Sequence, residues 1–131
     1  MLVVIDTNIL VSSLMSRNGS PAKIVSMILR GELIPCYDFR IISEYKNVLK
    51  RPKFGFSSSE ITSLLDWFEV IGFSVVAEPI DDEFIDESDK KFYEVAKSSG
   101  AALITGNLKH YPVDDQVLSV LEFLEKYNSE K

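Results

Sequence analysis

The sequence predicts an α/β fold, a three-layer α/β/α sandwich built on a central parallel sheet of four to five strands. Three observations lead there. Leu2-Val3-Val4-Ile5 is an unbroken aliphatic run, the pattern of a strand buried on both faces of a parallel sheet. Further short apolar runs alternate with segments of helical periodicity, which implies right-handed crossovers and helices on both faces. The 131 residues suit one domain with one core, so 1–131 is read as a single unit.

The elements follow in chain order. The first strand ends on Asp6, and a helix is expected from about Asn8. Ser20 is the expected cap of a helix over Pro21 to Arg30, whose Ile24, Val25, Ile28 and Leu29 share a face and which Gly31 stops. Leu33 to Cys36 is the second strand. Asp38 precedes a helix from Phe39 to Lys50 with Ile41, Ile42, Tyr45, Val48 and Leu49 as its apolar stripe. Ser57 to Glu60 fits a capping box for a helix carrying Ile61, Leu64, Leu65, Phe68 and Ile71, ended by Gly72. Phe73 to Ala77 is the expected third strand. Glu78 to Glu87 is an acidic loop, Ser88 to Ser99 a helix closed by Gly100, and Ala101 to Thr105 the fourth strand. After a loop over Gly106 to Asp115, Gln116 to Leu118 supplies a short fifth strand. Ser119 with Glu122 caps a last helix bearing Leu121, Phe123, Leu124 and Tyr127.

Composition narrows the chemistry. With 46% hydrophobic and 26% charged residues the chain has the balance of a packed globular protein, so disorder and fibrous repeats are excluded. No apolar run approaches the roughly 20 residues that span a bilayer, so no membrane association and a cytoplasmic location are expected. Cys36 and His110 are the single cysteine and the single histidine, which removes disulfide frameworks and Cys/His zinc sites. Any metal must then be held by oxygen. The net charge of −6 divides unevenly, +4 up to Lys53 and −10 from Phe54 onward, so a basic first segment can still attract phosphates.

In open parallel sheets the ligand site lies at the carboxyl ends of the strands, which directs attention to Asp6 and to Thr105-Gly106-Asn107. Asp6 ends a buried strand, where its charge needs hydrogen bonds or a cation; capping the following helix would be the plain alternative. Asp89 shares a helical face with Phe92, Tyr93 and Ala96, the face that meets the sheet, although a first-turn Asp also suits the helix dipole. Glu44 borders the apolar stripe of its helix, and on spacing alone it reads rather as a solvated carboxylate. Converging carboxylates repel one another unless a divalent cation or a shared proton lies between them, and an all-oxygen ligand set suits Mg²⁺ or Mn²⁺.

Four segments together resemble the PIN domain in order and spacing over nearly the whole chain. They are Val4-Ile5-Asp6-Thr7-Asn8-Ile9-Leu10, Ser43-Glu44-Tyr45, Asp89 ahead of Phe92-Tyr93-Glu94-Val95-Ala96, and Leu103-Ile104-Thr105-Gly106-Asn107 with His110-Tyr111-Pro112. The likeness is greatest to small toxins of bacterial or archaeal toxin–antitoxin pairs. The resemblance implies a metal-dependent endoribonuclease that uses Mg²⁺ or Mn²⁺, with Asp6, Glu44 and Asp89 as catalytic and metal-binding acids. Asn8, Thr105 and Asn107 would support them. It further implies an RNA substrate, an antitoxin protein as partner and a plausible homodimer. Lys46, Lys50, Arg51 and Lys109 are candidate RNA contacts, with Lys53, Lys90 and Lys91 nearby in the same role, and each reads as well as a solvated surface charge.

One position departs from the family pattern: Asn107 stands where many members carry an Asp, and an amide adds no negative charge. Asp86, three residues before Asp89, is a possible substitute acid, and His110 reads as a loop residue. Two other readings stay open. The chain could be a catalytically impaired PIN-fold module that binds RNA or a partner protein. It could also be a phosphotransferase with Asp6 as nucleophile, which ranks last because such enzymes usually need a second Asp where this chain has Asn8.

Overall fold

The computed structural model describes residues 1–130, and its architecture is the predicted one. The strands are β1 (Leu2–Ile5), β2 (Ile34–Tyr37), β3 (Phe73–Ser74), β4 (Ala102–Ile104) and β5 (Val117–Leu118). The helices are α1 (Thr7–Met15), α2 (Ser20–Leu29), α3 (Phe39–Leu49), α4 (Ser58–Ile71), α5 (Lys90–Ser99) and α6 (Val120–Ser129). All four strand pairings are parallel, in the order β3-β2-β1-β4-β5. The order runs outward from β1 in one direction and resumes at β4 in the other, so the topological switch point lies between β1 and β4.

Successive side chains of a strand point to opposite faces, yet Val3, Val4 and Ile5 are each fully buried, so helices cover both faces of β1. Among these, α5 packs on β1, β2 and β4, while α6 lies against β5 and α2. Tyr45 ties α3 to the strand end: its hydroxyl donates to the Ile5 carbonyl at 2.5 Å, and its ring meets Phe68 edge-on at 6.0 Å. A fully buried phenol needs such a partner. The bond fixes the turn of α3 that carries the neighbouring Glu44.

Several boundaries differ from the sequence reading. β3 holds only Phe73 and Ser74, both exposed, because it is an edge strand whose apolar continuation keeps one bond to β2, from the Val75 N–H to the Tyr37 carbonyl at 2.7 Å, and then leaves the ladder. Gly19, not Ser20, caps α2 through its backbone position, and Pro21 falls in the first turn. Ser57 accepts from the Glu60 amide at 3.3 Å, but the full reciprocal capping box occurs only at Ser119 and Glu122. Leu121, expected on the apolar stripe of α6, is 65% exposed, while Phe123 is buried.

Gly72 ends α4 where the chain turns into β3, and the space beside its Cα is already taken. A Cβ there would lie 2.3 Å from the Pro35 carbonyl oxygen and 2.6 Å from that of Phe68. Both are backbone atoms that no rotamer change can move. Gly72→Ala is therefore expected to cost about 1–3 kcal/mol of unfolding free energy, read as a drop in the urea midpoint. An unchanged midpoint would show that the α4–β3 turn tolerates a backbone shift.

Candidate active site

The site grows from the end of β1. Asp6 occupies the N-cap position of α1 but makes no side-chain cap hydrogen bond, so capping is not what its carboxylate does. Its backbone N–H continues the sheet to the Ile104 carbonyl at 3.0 Å, and its side chain is 5% exposed. Thr105, the first residue after β4, donates its hydroxyl to Asp6 Oδ2 at 2.7 Å, and the buried Tyr111 donates to the same oxygen at 3.0 Å. Both bonds fall on Oδ2, which leaves Oδ1 available. Asp6 thus sits on the switch point, held from the far side by residues about a hundred positions along the chain.

Asp89 caps α5 by position and likewise makes no side-chain cap bond. Its Oδ2 lies 3.0 Å from His110 Nδ1, on the short 3-10 turn Leu108–His110. Glu44, half-buried on α3, has both oxygens engaged. Thr7, at the start of α1, donates its hydroxyl to Oε2, and the Lys91 ammonium donates to Oε1 at 2.6 Å. Lys91 donates also to the Ser88 carbonyl, and its side chain is only 12% exposed.

These acids feel one another. Burial pushes the Asp6 carboxyl above its ordinary value of 3.8; the Thr105 and Tyr111 hydrogen bonds oppose this, while the charges of Asp89 and Glu44 add to it. Burial also raises Asp89, with the charges of Asp86 and Glu44 adding to the rise and the His110 hydrogen bond opposing it. The Tyr111 phenol is pushed far up by burial and by the same three acids, so it remains a donor. The donors are all oxygen, as a hard divalent cation requires, and Asp6 and Asp89 each keep one carboxylate oxygen without a hydrogen bond. Among the described residues no group of three or more His, Cys, Asp or Glu side chains is placed to hold a metal ion. An all-oxygen pair of this kind suits a hard divalent cation that takes its other ligands from water.

The supporting residues are placed as follows. Asn8 accepts from the Gly106 amide through its side-chain oxygen at 3.2 Å, and the Asn107 amide donates to Thr105 Oγ1 at 3.0 Å. Asn8, Thr105, Asn107, Lys109 and His110 line a cleft of about 730 Å³ together with Val120 and Leu121 at the start of α6. Lys46, Lys50 and Arg51 stand exposed on α3 and just past it. Asp86 is exposed and serves as a cap, accepting from the Ser88 amide at 2.9 Å, which with the Ser88 hydroxyl lowers its pKa. Sequence reasoning missed Tyr111 and Thr7 as partners of the acids, placed Lys91 among phosphate contacts, and took His110 for a plain loop residue. The His110-Tyr111 pair within the fourth motif was the available signal for two of the four.

Asp6 binds its proton more tightly folded than unfolded. Its ionisation therefore costs the fold nothing well below pH 3.8, and the cost grows as pH rises from there through the raised native value. Asp6→Asn removes that cost, while the amide oxygen can still accept from Thr105 and Tyr111. With chelator present, the melting temperature of the variant is expected to gain on the parent as pH rises from about 4 to 7. A difference that does not vary with pH would show that Asp6 carries no electrostatic strain.

The sequence pattern of the PIN domain matches residues 2–109. An uncharacterized protein of Methanocaldococcus jannaschii is 33% identical over 110 residues, covering 80% of this chain and 70% of that protein. No solved structure matches. Among the described residues no helix is long and apolar enough to cross a membrane. The match runs from β1 to Lys109 and takes in Asp6, Glu44 and Asp89, with His110 and Tyr111 just beyond it: the chain belongs to the PIN domain family, whose members are generally nucleases.

Proposed function

We propose that the chain is a Mg²⁺- or Mn²⁺-dependent endoribonuclease, the toxin of a toxin–antitoxin pair, with Asp6, Glu44 and Asp89 as its catalytic acids. The observation that carries this reading is the Asp6 carboxylate, buried at the switch point within the field of Glu44 and Asp89. Such an arrangement is costly unless positive charge arrives to offset it. Asp6 and Asp89 would hold the cation through their open oxygens. When bound, it would lower the pKa of a water and offset charge on a phosphate.

The chain's own residues would do the rest. Thr105 and Tyr111 hold Asp6 by Oδ2 and so aim Oδ1, and His110 does the same for Asp89. The hydrogen bond from the Gly106 N–H to Asn8 ties the loop after β4 to the start of α1. Lys109 on the cleft wall, with Lys46, Lys50 and Arg51 along and after α3, supplies phosphate contacts for single-stranded RNA. Partners in this reading are an antitoxin protein and a second copy of the chain, and the site of action is the cytoplasm.

Asp6→Asn and Asp89→Asn are each expected to lower cleavage of single-stranded RNA at least about 100-fold in Mn²⁺ while remaining folded. Parent-like cleavage by both variants would remove the acids from the reaction.

The second reading, a PIN-fold module with little or no turnover, is favoured by one position. Asn107 is exposed, and its backbone, not its side chain, bonds to Thr105. If the missing charge limits the site, Asn107→Asp is expected to tighten Mn²⁺ binding about tenfold in calorimetry and to raise RNA cleavage. Unchanged affinity would place residue 107 outside the ligand set. Absence of cleavage in both the parent and this variant would favour the binding module.

A further inference from the structure

The two oxygens of Glu44 are both taken, and one of them is taken by a cation. Lys91 Nζ sits 2.6 Å from Glu44 Oε1, is held there by the Ser88 carbonyl, and lies over the Phe92 ring at 5.1 Å from the ring centre. At 12% exposure this lysine is not a solvated surface charge. A lysine so enclosed needs a counter-charge, and Glu44 is the one it has. Lys91 lies two residues past Asp89 on the same helical turn, so its ammonium stands among the acids whose charges act on Asp6 and Asp89.

We propose that Lys91 is a resident counter-cation that holds Glu44 away from the metal, so that the affinity of the site is set by competition between the ammonium and the incoming ion. The inference rests on the metal-dependent reading above. It follows from charge and geometry. In the metal-free protein Lys91 offsets one of three neighbouring carboxylates, which stabilises the fold. A dication that recruits Glu44 must break the 2.6 Å pair and must also approach a fixed positive charge. Both effects weaken binding. Asp6 and Asp89, each with an open oxygen, are left as the first ligands, and Glu44 joins only when the ion displaces the ammonium.

The test is Mn²⁺ calorimetry on the full chain, with melting curves in chelator and in Mn²⁺. Lys91→Met keeps an unbranched apolar stem and deletes the charge, and Lys91→Gln repeats the deletion with a polar end. Both are expected to bind Mn²⁺ about tenfold tighter than the parent, to melt lower in chelator, and to gain more in melting temperature on adding Mn²⁺. Lys91→Arg retains the charge and is expected to bind within about twofold of the parent. Lys90→Met, the neighbouring charge deletion, is expected to change affinity less than about twofold, because among the described residues Lys90 forms no ion pair with an acid. Equal or weaker binding in both Lys91→Met and Lys91→Gln, or an equal gain in Lys90→Met, would overturn the proposal while leaving the metal reading intact if the parent binds. No Mn²⁺ binding by the parent or by either charge deletion would overturn both.

Discussion

A carboxylate at the end of a fully buried central strand is the constraint around which the other parts are arranged. Asp6 cannot reach solvent freely, because β1 is flanked by β2 and β4 and covered by helices on both faces. Its charge must therefore be met locally, and it is met by two hydroxyls that only the complete fold delivers. Thr105 comes from the end of β4 and Tyr111 from the turn beyond it. The β1–β4 pairing, with Val3, Val4 and Ile5 in register with Ala102, Leu103 and Ile104, sets the distance between donor and acceptor. The same hydrogen bonds that make burial tolerable also fix the direction in which the remaining oxygen is offered.

Around this anchor the protein treats its other acids differently. Asp89 is left with one oxygen uncommitted and a histidine on the other, whereas Glu44 is closed by a threonine and a lysine. Both arrangements lessen repulsion between carboxylates, but they do so with different consequences for a ligand. An imidazole on one oxygen leaves the other free to coordinate, while an ammonium competes directly with any cation. The distribution of partners thus sorts three similar side chains into two open groups and one guarded group. Stability of the metal-free protein and affinity for metal then pull against each other, as is common where function needs unfavourable charge in one place.

Much of this was legible in the sequence, and what was not has a common cause. β1 and its terminal acid followed from a continuous aliphatic run that stops on Asp6, and the spacing of Asp89 to Phe92, Tyr93 and Ala96 singled it out, although it lies half-buried in the turn ahead of α5. Both rest on local periodicity. The partners of the acids are not local: Lys91 meets Glu44 across 47 positions and Tyr111 meets Asp6 across 105. No periodicity reports a contact of that kind, and a lysine at the start of a helix reads as surface until the facing helix is known. The shortness of β3 was hidden for a related reason, since Phe73 to Ala77 is apolar enough for a strand but lies at an edge with only β2 to pair. Gly72 read as a helix terminator, which it is, while the contact with the Pro35 carbonyl that demands a glycine there belongs to β2.

The central claim is that the buried acid at the switch point exists to hold a cation together with Asp89. A crystal of the protein soaked in Mn²⁺ and measured for anomalous scattering tests it most directly. The account predicts one strong peak bridging Asp6 and Asp89, at the roughly 2.0–2.2 Å that oxygen ligands of such ions adopt, with waters filling the remaining positions. A map with no peak at the end of β1, or a peak bound only by surface carboxylates such as Asp86, would contradict it.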